Sequence, residues 1–429
     1  MSKQIKSLQD VTDSNKIEVP EVEAPEVESI RVTEPREGLP EIVSTPAQLA
    51  KLVETVSRGS GPVALDAERA SGFKYSQRAY LIQIRRQGSG SHLIDPILFP
   101  NLNPLQEALA GVDWILHAAS QDLVCLAEVG LIPTANVFDT ELAGRLLGLP
   151  RVGLGPLIET QLGFSLAKEH SAADWSTRPL PESWLNYAAL DVEFLIELWE
   201  LLETQLRETN KHKWALQEFD HVKRTTAPIE RVDPWRRTSG MHVIRNAREL
   251  AVIREVWHAR DEIAREQDIA AGRILSDSHI VTLASSGLTK ESELKTLSFM
   301  HLRNVKRHAS TWISATVRAH GLPDEELPAL KLPVTGPPAP RNWEARNPQA
   351  WRRLEYTRAQ LSQLAEQLAL PVENLMTPDV IRRVLWTPPE DLANLHQVLS
   401  DHNARPWQIE IVGPVLETAI WGLGETKTN

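Results

Sequence analysis

The chain has 429 residues, of which 42% are hydrophobic and 24% are charged. This is an ordinary globular composition, and the length is enough for two to four domains at roughly 100–200 residues each. Its single cysteine, Cys125, excludes an intramolecular disulfide framework and a cysteine-rich zinc site, and it favours a cytoplasmic protein.

The N-terminal region predicts neither a secretory signal nor a packed domain. The opening stretch MSKQIKSLQDVTDSNK has no apolar core, and no long uncharged apolar run elsewhere predicts a membrane span. Residues 1–40 include the stretch IEVPEVEAPEVES, in which Glu, Pro and Val alternate without a helical stripe. We therefore expect a disordered acidic tail over residues 1–40.

Residues 41–222 carry the pattern of an α/β domain. Short apolar runs predict strands at VAL before Asp66 and at Ala79–Ile84, His92–Asp95, Trp114–His117 and Asn136–Asp139. Helical patterns follow at Gln121–Val129, Thr140–Leu147 and Trp184–Leu206. The first three strands have short connections and are expected to be antiparallel, whereas a helix before each later strand favours parallel addition. The expected fold is a mixed sheet with helices on both faces.

Two helical segments follow the α/β domain. A proline-containing linker, Thr225–Pro234, precedes a helical domain predicted at residues 235–320. A second proline-rich linker, residues 321–341, precedes another helical domain at residues 342–425. Each segment has a long amphipathic helix, a short loop, an apolar pair and a polar helix start, at an offset of about 100 residues. This similarity suggests a duplicated domain.

The first candidate site lies in LDAER, where Asp66 and Glu68 are two residues apart on a predicted strand. Both side chains therefore leave the same face of the sheet. Two carboxylates on one face repel each other unless a cation lies between them, and Mg²⁺ prefers hard oxygen ligands of this kind. The alternative is an edge strand with solvated acids, but the apolar run leading into Asp66 predicts a buried strand.

Three further residues extend this pattern. Asp122 falls in the first turn after a strand-to-helix junction, where a carboxylate alone can simply favour the helix N-terminus. Tyr187 and Asp191 are four residues apart and share one face of a predicted helix, an arrangement that is weak evidence by itself. Together the motifs form one order, with Asp-x-Glu on a strand, Asp at a later helix start and Tyr-x-x-x-Asp on a helix.

The order of these motifs resembles that of the DEDD exonucleases with a tyrosine in the third motif, and their context resembles ribonuclease D. The matching stretches are VALDAERASGFKYSQRAYLIQIRR, LHAASQDL and DWSTRPLPESWLNYAALDVEFL. The segment from Asn246 to about His320 is similar to the HRDC domain, and the second helical segment looks like the divergent second copy found in that family. One departure is Arg69, which stands where an aromatic residue often follows the first-motif glutamate.

The resemblance implies a fold, a reaction and a set of site residues. The fold is a ribonuclease H-like exonuclease domain followed by two all-α HRDC bundles. Asp66, Glu68, Asp122 and Asp191 would hold two divalent ions, Mg²⁺ or Mn²⁺, and Tyr187 would orient the attacking water. The reaction is stepwise hydrolysis from a free 3′ hydroxyl, which releases nucleoside 5′-monophosphates. The family's substrates are tRNA precursors and other small structured RNAs.

The distribution of charge suggests where RNA would bind. The formal net charge of −11 argues against a nucleic-acid binder, although bound cations neutralise the carboxylates of metal-dependent nucleases. Residues 231–320 contain 15 Lys and Arg against 10 Asp and Glu, and are therefore basic. The candidate RNA-binding residues are Arg303, Lys306 and Arg307, which offer phosphate contacts, and Arg405 and Trp407. Trp407 is a candidate for base stacking, although a packing role is favoured for its segment.

Two alternative functions remain open from the sequence. A 3′–5′ exonuclease acting on DNA would use the same catalytic motifs, and only the paired helical domains favour RNA. A non-catalytic RNA-binding protein would be indicated by the loss of a ligand position, but all four carboxylates and the tyrosine are present. No motif indicates a protein partner or a membrane contact.

Overall fold

The computed structural model describes residues 29–166, 172–225, 231–332 and 336–423. Its strands are β1 (Ile30–Val32), β2 (Ile42–Val43), β3 (Ser60–Arg69), β4 (Ala79–Gln87), β5 (Gly90–Ile94), β6 (Trp114–Leu116), β7 (Val137–Asp139) and β8 (Phe164–Leu166). The helices of the α/β part are α1 (Pro46–Arg58), α2 (Asn103–Ala108), α3 (Asp122–Glu128), α4 (Thr140–Leu146), α5 (Leu154–Leu162), α6 (Glu182–Glu193), α7 (Leu195–Glu208) and α8 (His212–Thr225).

A six-stranded mixed sheet in the order β2-β5-β4-β3-β6-β7 forms the centre of the α/β part. Strands β3, β4 and β5 are antiparallel neighbours, and β6 and β7 join in parallel, which confirms the predicted topology. One face of β3 packs Val63 and Leu65 into a core with α1 and α3. Because side chains alternate along a strand, Asp66 and Glu68 project from the opposite face, on which α6 and α7 pack.

The prediction of a disordered tail over residues 1–40 is wrong for residues 29–40, and residues 1–28 lie outside the described part of the chain. Strand β1 pairs in parallel with β8, in the register Ile30 to Phe164. Arg36 then forms an ion pair with the buried Glu193, with 2.7 Å between Nε and Oε1. A distant strand and a buried carboxylate order this segment, and a local compositional pattern cannot indicate either partner.

The helix predicted as one run from Trp184 to Leu206 is two helices, α6 and α7, separated at Phe194. This residue has φ −111° and ψ 3°, and its side chain is fully buried. Its ring stacks on Phe164 with 4.7 Å between centroids. The break therefore places an aromatic ring against β8 while the apolar periodicity of the sequence continues across it.

The rest of the chain is helical, in two bundles. The first contains α9 (Ala247–Gln267), α10 (Ala271–Ile274), α11 (Asp277–Ser286), α12 (Glu291–Leu294), α13 (Arg303–Arg307) and α14 (Ala309–Gly321). The second contains α15 (Trp343–Arg346), α16 (Pro348–Gln367), α17 (Val372–Leu375), α18 (Pro378–Trp386), α19 (Leu392–Asp401) and α20 (Pro406–Glu417). Short 3-10 turns lie at Pro96–Leu98, Pro234–Arg237, Met241–Val243, Ser298–His301, Asp324–Glu326 and Pro340–Asn342, and a π-helical turn ends α20 at Thr418–Gly422.

The two bundles share a three-helix pattern, which opens the first bundle and follows the short α15 in the second. A helix of 21 or 20 residues is followed by one of 4 and then by one of 10 or 9. The matching helices start 101 residues apart at each step, at Ala247 and Pro348, Ala271 and Val372, and Asp277 and Pro378. The internal similarity predicted from the sequence is therefore present in the backbone.

The second bundle shares a hydrophobic core with the α/β part. Trp407 stacks on Trp214 of α8 with 4.9 Å between ring centroids, and it lies in one apolar cluster with Phe219. Gly148, at φ +73°, meets the backbone of Ala369 so closely that a side chain there would clash. The first bundle has an apolar core of its own around Trp235 and Trp312. Among the described residues, no helix combines the length and apolarity that crossing a membrane requires.

Candidate active site

Three carboxylates meet on the α6 face of the sheet. Asp66 and Glu68 leave β3 on the same side, and Asp191 reaches them from the third turn of α6. Each residue offers one carboxylate oxygen, and these three atoms lie within 4.8 Å of one another. Glu68 is only 9% exposed, so water solvates this charge poorly. The structure therefore brings together three of the four predicted ligands.

Asp122 lies beside this group but outside the 4.8 Å set. It opens the first turn of α3, as the sequence predicts, and is 7% exposed. Its charge acts on both Asp191 and Glu68, whose pKa values it raises after the larger effects of burial and of Asp66. Asp122 is thus an electrostatic neighbour of the three carboxylates, on the side of the site formed by β6 and α3.

The four acids resist simultaneous ionisation. Burial, opposed in part by the Ala67 amide, raises the pKa of Asp66 to about 6. Burial and the neighbouring carboxylates, Asp66 foremost, raise the pKa of Glu68 to about 10. The pKa values of Asp122 and Asp191 are also raised, by burial first and then by the charge of Asp66. A cation bound between these groups would remove the repulsion, because it favours the charged form of each.

Tyr187 lies one helical turn before Asp191 and donates a hydrogen bond to its carboxylate. Burial, and then the charge of Asp191, raises the pKa of the Tyr187 hydroxyl, which therefore stays protonated at neutral pH. The ring lies against the fully buried Trp175, with 6.4 Å between centroids. Trp175 belongs to the segment DWSTRPL, so this segment supplies a ring that packs near the tyrosine.

A carboxylate that sequence analysis missed shapes the approach to Asp122. Asp139 is 2% exposed, and its side chain accepts hydrogen bonds from the amides of Ala118 and Ala119, at 3.2 and 2.9 Å. It also caps α4 by accepting from the amides of Glu141 and Leu142. Asp139 thus fixes the turn that leads into α3, where Ala118 has φ +56°. The signal in the sequence was an aspartate that ends a strand immediately before a helix.

Arg69 extends the site towards solvent. It follows Glu68 on β3, and its guanidinium hydrogen-bonds the side chain of Gln121, next to Asp122. Its positive charge partly offsets the burial that raises the pKa values of Asp66, Glu68 and Asp122. A cavity of about 330 Å³ opens beside it, lined by Glu68, Arg69, Ser71, Phe73 and Ala173 among others. This cavity is the accessible space nearest to the acidic cluster among the cavities described.

The predicted RNA-binding residues fall into two groups. Arg303, Lys306 and Arg307 are exposed on α13 of the first bundle, as a phosphate-binding role requires. The prediction for Trp407 is wrong, because this side chain is 1% exposed and its indole N–H donates to Glu218 at 2.7 Å. Arg405 also ion-pairs with Glu218, at 2.8 Å. These two residues fasten the second bundle to α8, so Trp407 is not available to stack on a base.

Comparison with known proteins identifies the class of this fold and site. A family described as 3′-5′ exonuclease matches residues 40–207, and the HRDC domain matches residues 249–316. Residues 336–420 match a family described as 3′ to 5′ exonuclease C-terminal domain, so the HRDC assignment is confirmed for the first bundle alone. The class is that of the 3′–5′ exonucleases.

Individual relatives narrow the class to one family. Ribonuclease D of Pseudomonas paraeruginosa is 31% identical over 281 residues, which cover 64% of this chain and 73% of that protein. The chain belongs to the ribonuclease D family. A crystal structure of a protein from Bifidobacterium adolescentis is 36% identical, with a TM-score of 0.85 over 92% of this chain and all of that one. RNase D of Escherichia coli, at 24% identity and a TM-score of 0.66 over 90% of this chain and all of that one, shares the fold.

The family and the exonuclease domain together define the activity. The protein is a ribonuclease, a phosphodiester hydrolase that acts in the 3′ to 5′ direction and binds nucleic acid. The exonuclease fold and its acidic cluster indicate the use of divalent metal.

Proposed function

We propose that the protein trims the 3′ ends of tRNA precursors and other small structured RNAs with two divalent cations, Mg²⁺ or Mn²⁺, and releases nucleoside 5′-monophosphates. The observation that carries this proposal is the meeting of Asp66, Glu68 and Asp191, whose oxygens lie within 4.8 Å of one another. We assign the same role to Asp122, in the first turn of α3. The donor set fits the metal, because Mg²⁺ and Mn²⁺ prefer carboxylate oxygens over the softer ligands.

The chain's own residues prepare the reaction in several ways. When bound, divalent cations lower the pKa of water and stabilise the charge that develops on the phosphate and the leaving oxygen. The raised pKa values of the four acids reflect burial and mutual repulsion of their charges, which a bound cation would relieve. Tyr187 keeps its proton and, held by Trp175 and Asp191, is placed to orient a water molecule. Arg69 supplies a positive charge at the rim, where a backbone phosphate of the substrate would lie.

The domain organisation that we propose follows the predicted boundaries, with one revision. The exonuclease domain comprises residues 41–222, the first bundle residues 235–320 and the second residues 342–425, of which 424 and 425 lie outside the described part. The revision adds residues 29–40 to the exonuclease domain, because β1 and Arg36 are bonded to it. The linkers at 225–234 and 321–341 include residues 226–230 and 333–335, which also lie outside the described part.

A preference for structured RNA is supported by the charge and exposure of the first bundle. The basic excess of residues 231–320 contrasts with the acidic chain as a whole, and Arg303, Lys306 and Arg307 face solvent together. A single 3′ nucleotide offers few contacts, so a trimming enzyme needs phosphate contacts away from the cut. Such contacts are independent of sequence and weaken as salt concentration rises.

The test is cleavage of a labelled tRNA precursor by the full chain, with Mg²⁺, with Mn²⁺ and with EDTA. We expect metal-dependent release of nucleoside 5′-monophosphates, and loss of turnover in Asp66→Asn and Asp191→Asn. The exposed Asp220→Asn removes a carboxylate outside the site and is expected to retain activity. Turnover in EDTA, or more than about a tenth of the wild-type rate in either site variant, would contradict the metal assignment. The same cleavage assay with a single-stranded DNA substrate shows whether the protein prefers RNA or DNA.

A further inference from the structure

The first helical bundle contacts the segment that leaves the acidic strand. This segment, residues 70–78, joins β3 to β4 and is named here the β3–β4 loop. It begins directly after Arg69, and Ser71 and Phe73 line the cavity that also contains Glu68. Its conformation therefore determines the shape of one wall of the space beside the predicted metal ligands.

Asp268 is the centre of this contact. It follows α9 in the left-handed conformation, at φ +48°, and presents its carboxylate to the loop. One oxygen accepts a hydrogen bond from the amide of Ser76 at 2.9 Å, and the other accepts from the hydroxyl of Tyr80 at 3.3 Å. The Lys74 ammonium lies 3.9 Å from the second oxygen. Both oxygens of one side chain of the bundle thus bind the exonuclease domain.

Two neighbouring contacts hold the other half of the loop. The amide of Ala270 donates to the carbonyl of Phe73 at 2.9 Å, and Nε of Arg273 donates to the carbonyl of Gly72 at 2.8 Å. The Arg273 guanidinium also lies over the Phe73 ring, 4.0 Å from its centroid. Backbone groups on the loop take part in three of these bonds, so the bundle fixes the path of the main chain as well as side-chain positions.

We propose that Asp268 is a positioning residue for the exonuclease reaction, through which the first bundle holds the β3–β4 loop as a wall of the active site. The inference rests on the proposed role of Asp66 and Glu68 as the reaction centre. A bundle that holds the loop contributes to the cleavage of every substrate. A bundle that only binds phosphates contributes only for RNAs that are long enough to reach it. Substrate length therefore distinguishes the two roles.

The left-handed backbone of Asp268 provides a clean perturbation. Glycine adopts this conformation without strain, so Asp268→Gly deletes the carboxylate and leaves the turn after α9 intact. Asp268→Asn keeps one oxygen acceptor and is the conservative variant. Asp233 is a matched control, because it is also an aspartate at positive φ, 51°, in the linker that enters the bundle, and its side chain bonds Trp235 and Arg236 of the bundle.

The experiment measures kcat and KM of the full chain with Mg²⁺ on a trinucleotide RNA, which has only one internucleotide phosphate besides the one that is cleaved. Misplacement of groups around a reacting centre by about 1 Å can cost on the order of 100-fold. We expect kcat/KM to fall between about 10- and 100-fold in Asp268→Gly, mainly through kcat, with partial recovery in Asp268→Asn and little change in Asp233→Gly. Tyr75→Phe, which removes only a hydroxyl bonded to Asp261 at 3.0 Å, should show a smaller fall.

The outcomes separate the two proposals. Wild-type activity on the short RNA with an unchanged kcat/KM in Asp268→Gly would overturn the positioning role and leave the proposed function in place. An equal fall in Asp233→Gly would also overturn it, because the effect would then follow from general destabilisation of the bundle. Absence of Mg²⁺-dependent activity in the wild-type protein would instead contradict the proposed function. Thermal unfolding of each variant shows whether it is folded at the assay temperature.

Discussion

Replacing Asp66 by asparagine should stabilise the metal-free protein while it abolishes turnover. Asparagine has nearly the same shape as aspartate but no charge to bury. The pKa of Asp66 rises from 3.8 to about 6 on folding, with burial as the main cause. The proton on Asp66 is therefore bound more tightly in the folded state. The stability that this tighter binding contributes is fully present below about pH 4 and is lost as the pH rises through 6.

The size of the effect follows from the two pKa values. A difference of about two units at about 1.4 kcal/mol each gives a penalty of about 3 kcal/mol at pH 8, which asparagine does not incur. For domains of roughly 150–250 residues, 1 kcal/mol changes Tm by about 2–4 °C. Asp66→Asn should thus raise the Tm of the metal-free protein by up to about 10 °C at pH 8, and by little at pH 4.

Thermal unfolding in EDTA at pH 4 and pH 8, followed by circular dichroism, provides the measurement. Adding Mg²⁺ should raise the Tm of the wild-type protein more than that of the variant, because the variant has lost a ligand charge. Asp220→Asn, which removes an exposed carboxylate paired with Arg224, is the matched control and should change Tm little. A Tm for Asp66→Asn in EDTA at pH 8 that is equal to or below the wild-type value would refute the argument from burial and repulsion.

Three further changes test other parts of the structure. Tyr187→Phe should lower kcat about 10²–10⁴-fold while metal-induced stabilisation persists, and an unchanged kcat would leave the ring a packing role only. Changing Arg303, Lys306 and Arg307 together to Ala should weaken binding of a tRNA precursor and flatten its salt dependence, by about 0.7–0.9 of log–log slope per lost contact; an equal slope would exclude phosphate contacts there. Trp407→Ala should destabilise the protein by about 3–5 kcal/mol in denaturant titration, and a loss below 1 kcal/mol would contradict its buried position.

The sequence predicted the centre of the sheet and most of the acidic cluster because both depend on local patterns. The period-two alternation along β3 is enough to place Asp66 and Glu68 on one face, and the four-residue spacing on α6 places Tyr187 beside Asp191. The meeting of these two faces depends on chain topology. The prediction that the two faces meet came from the resemblance to ribonuclease D, because periodicity alone contains no information about chain topology.

The features that escaped prediction depend on partners distant in the chain. Strand β1 pairs with β8, more than 100 residues later, and the helix break at Phe194 is explained by a ring on β8. The segment around Trp407 allowed base stacking as well as packing, and the structure shows its indole bonded to Glu218 in a shared core. Contacts with distant residues can order an acidic, proline-rich segment. Here Arg36 of this segment forms an ion pair with the buried Glu193.

The core shared by the second bundle and the α/β part limits how the chain can be truncated. Deleting everything after about Pro228 would be the natural way to isolate the exonuclease domain from its helical bundles. In the structure, that deletion would remove Trp407 from Trp214 and expose the apolar cluster around Phe219. The isolated domain is therefore expected to be destabilised, and point substitutions on the bundles are the sounder test of how they contribute to RNA binding.

The continuous core between the α/β part and the second bundle also has a consequence for how the protein opens. Amides that share one apolar core should become accessible to solvent together, so hydrogen exchange in α8 and α20 should report a common opening free energy. The first bundle has its own core, and it meets the β3–β4 loop through hydrogen bonds and the ring of Tyr75. We expect it to exchange as a separate cooperative unit, which could detach from the loop while the rest of the molecule stays folded.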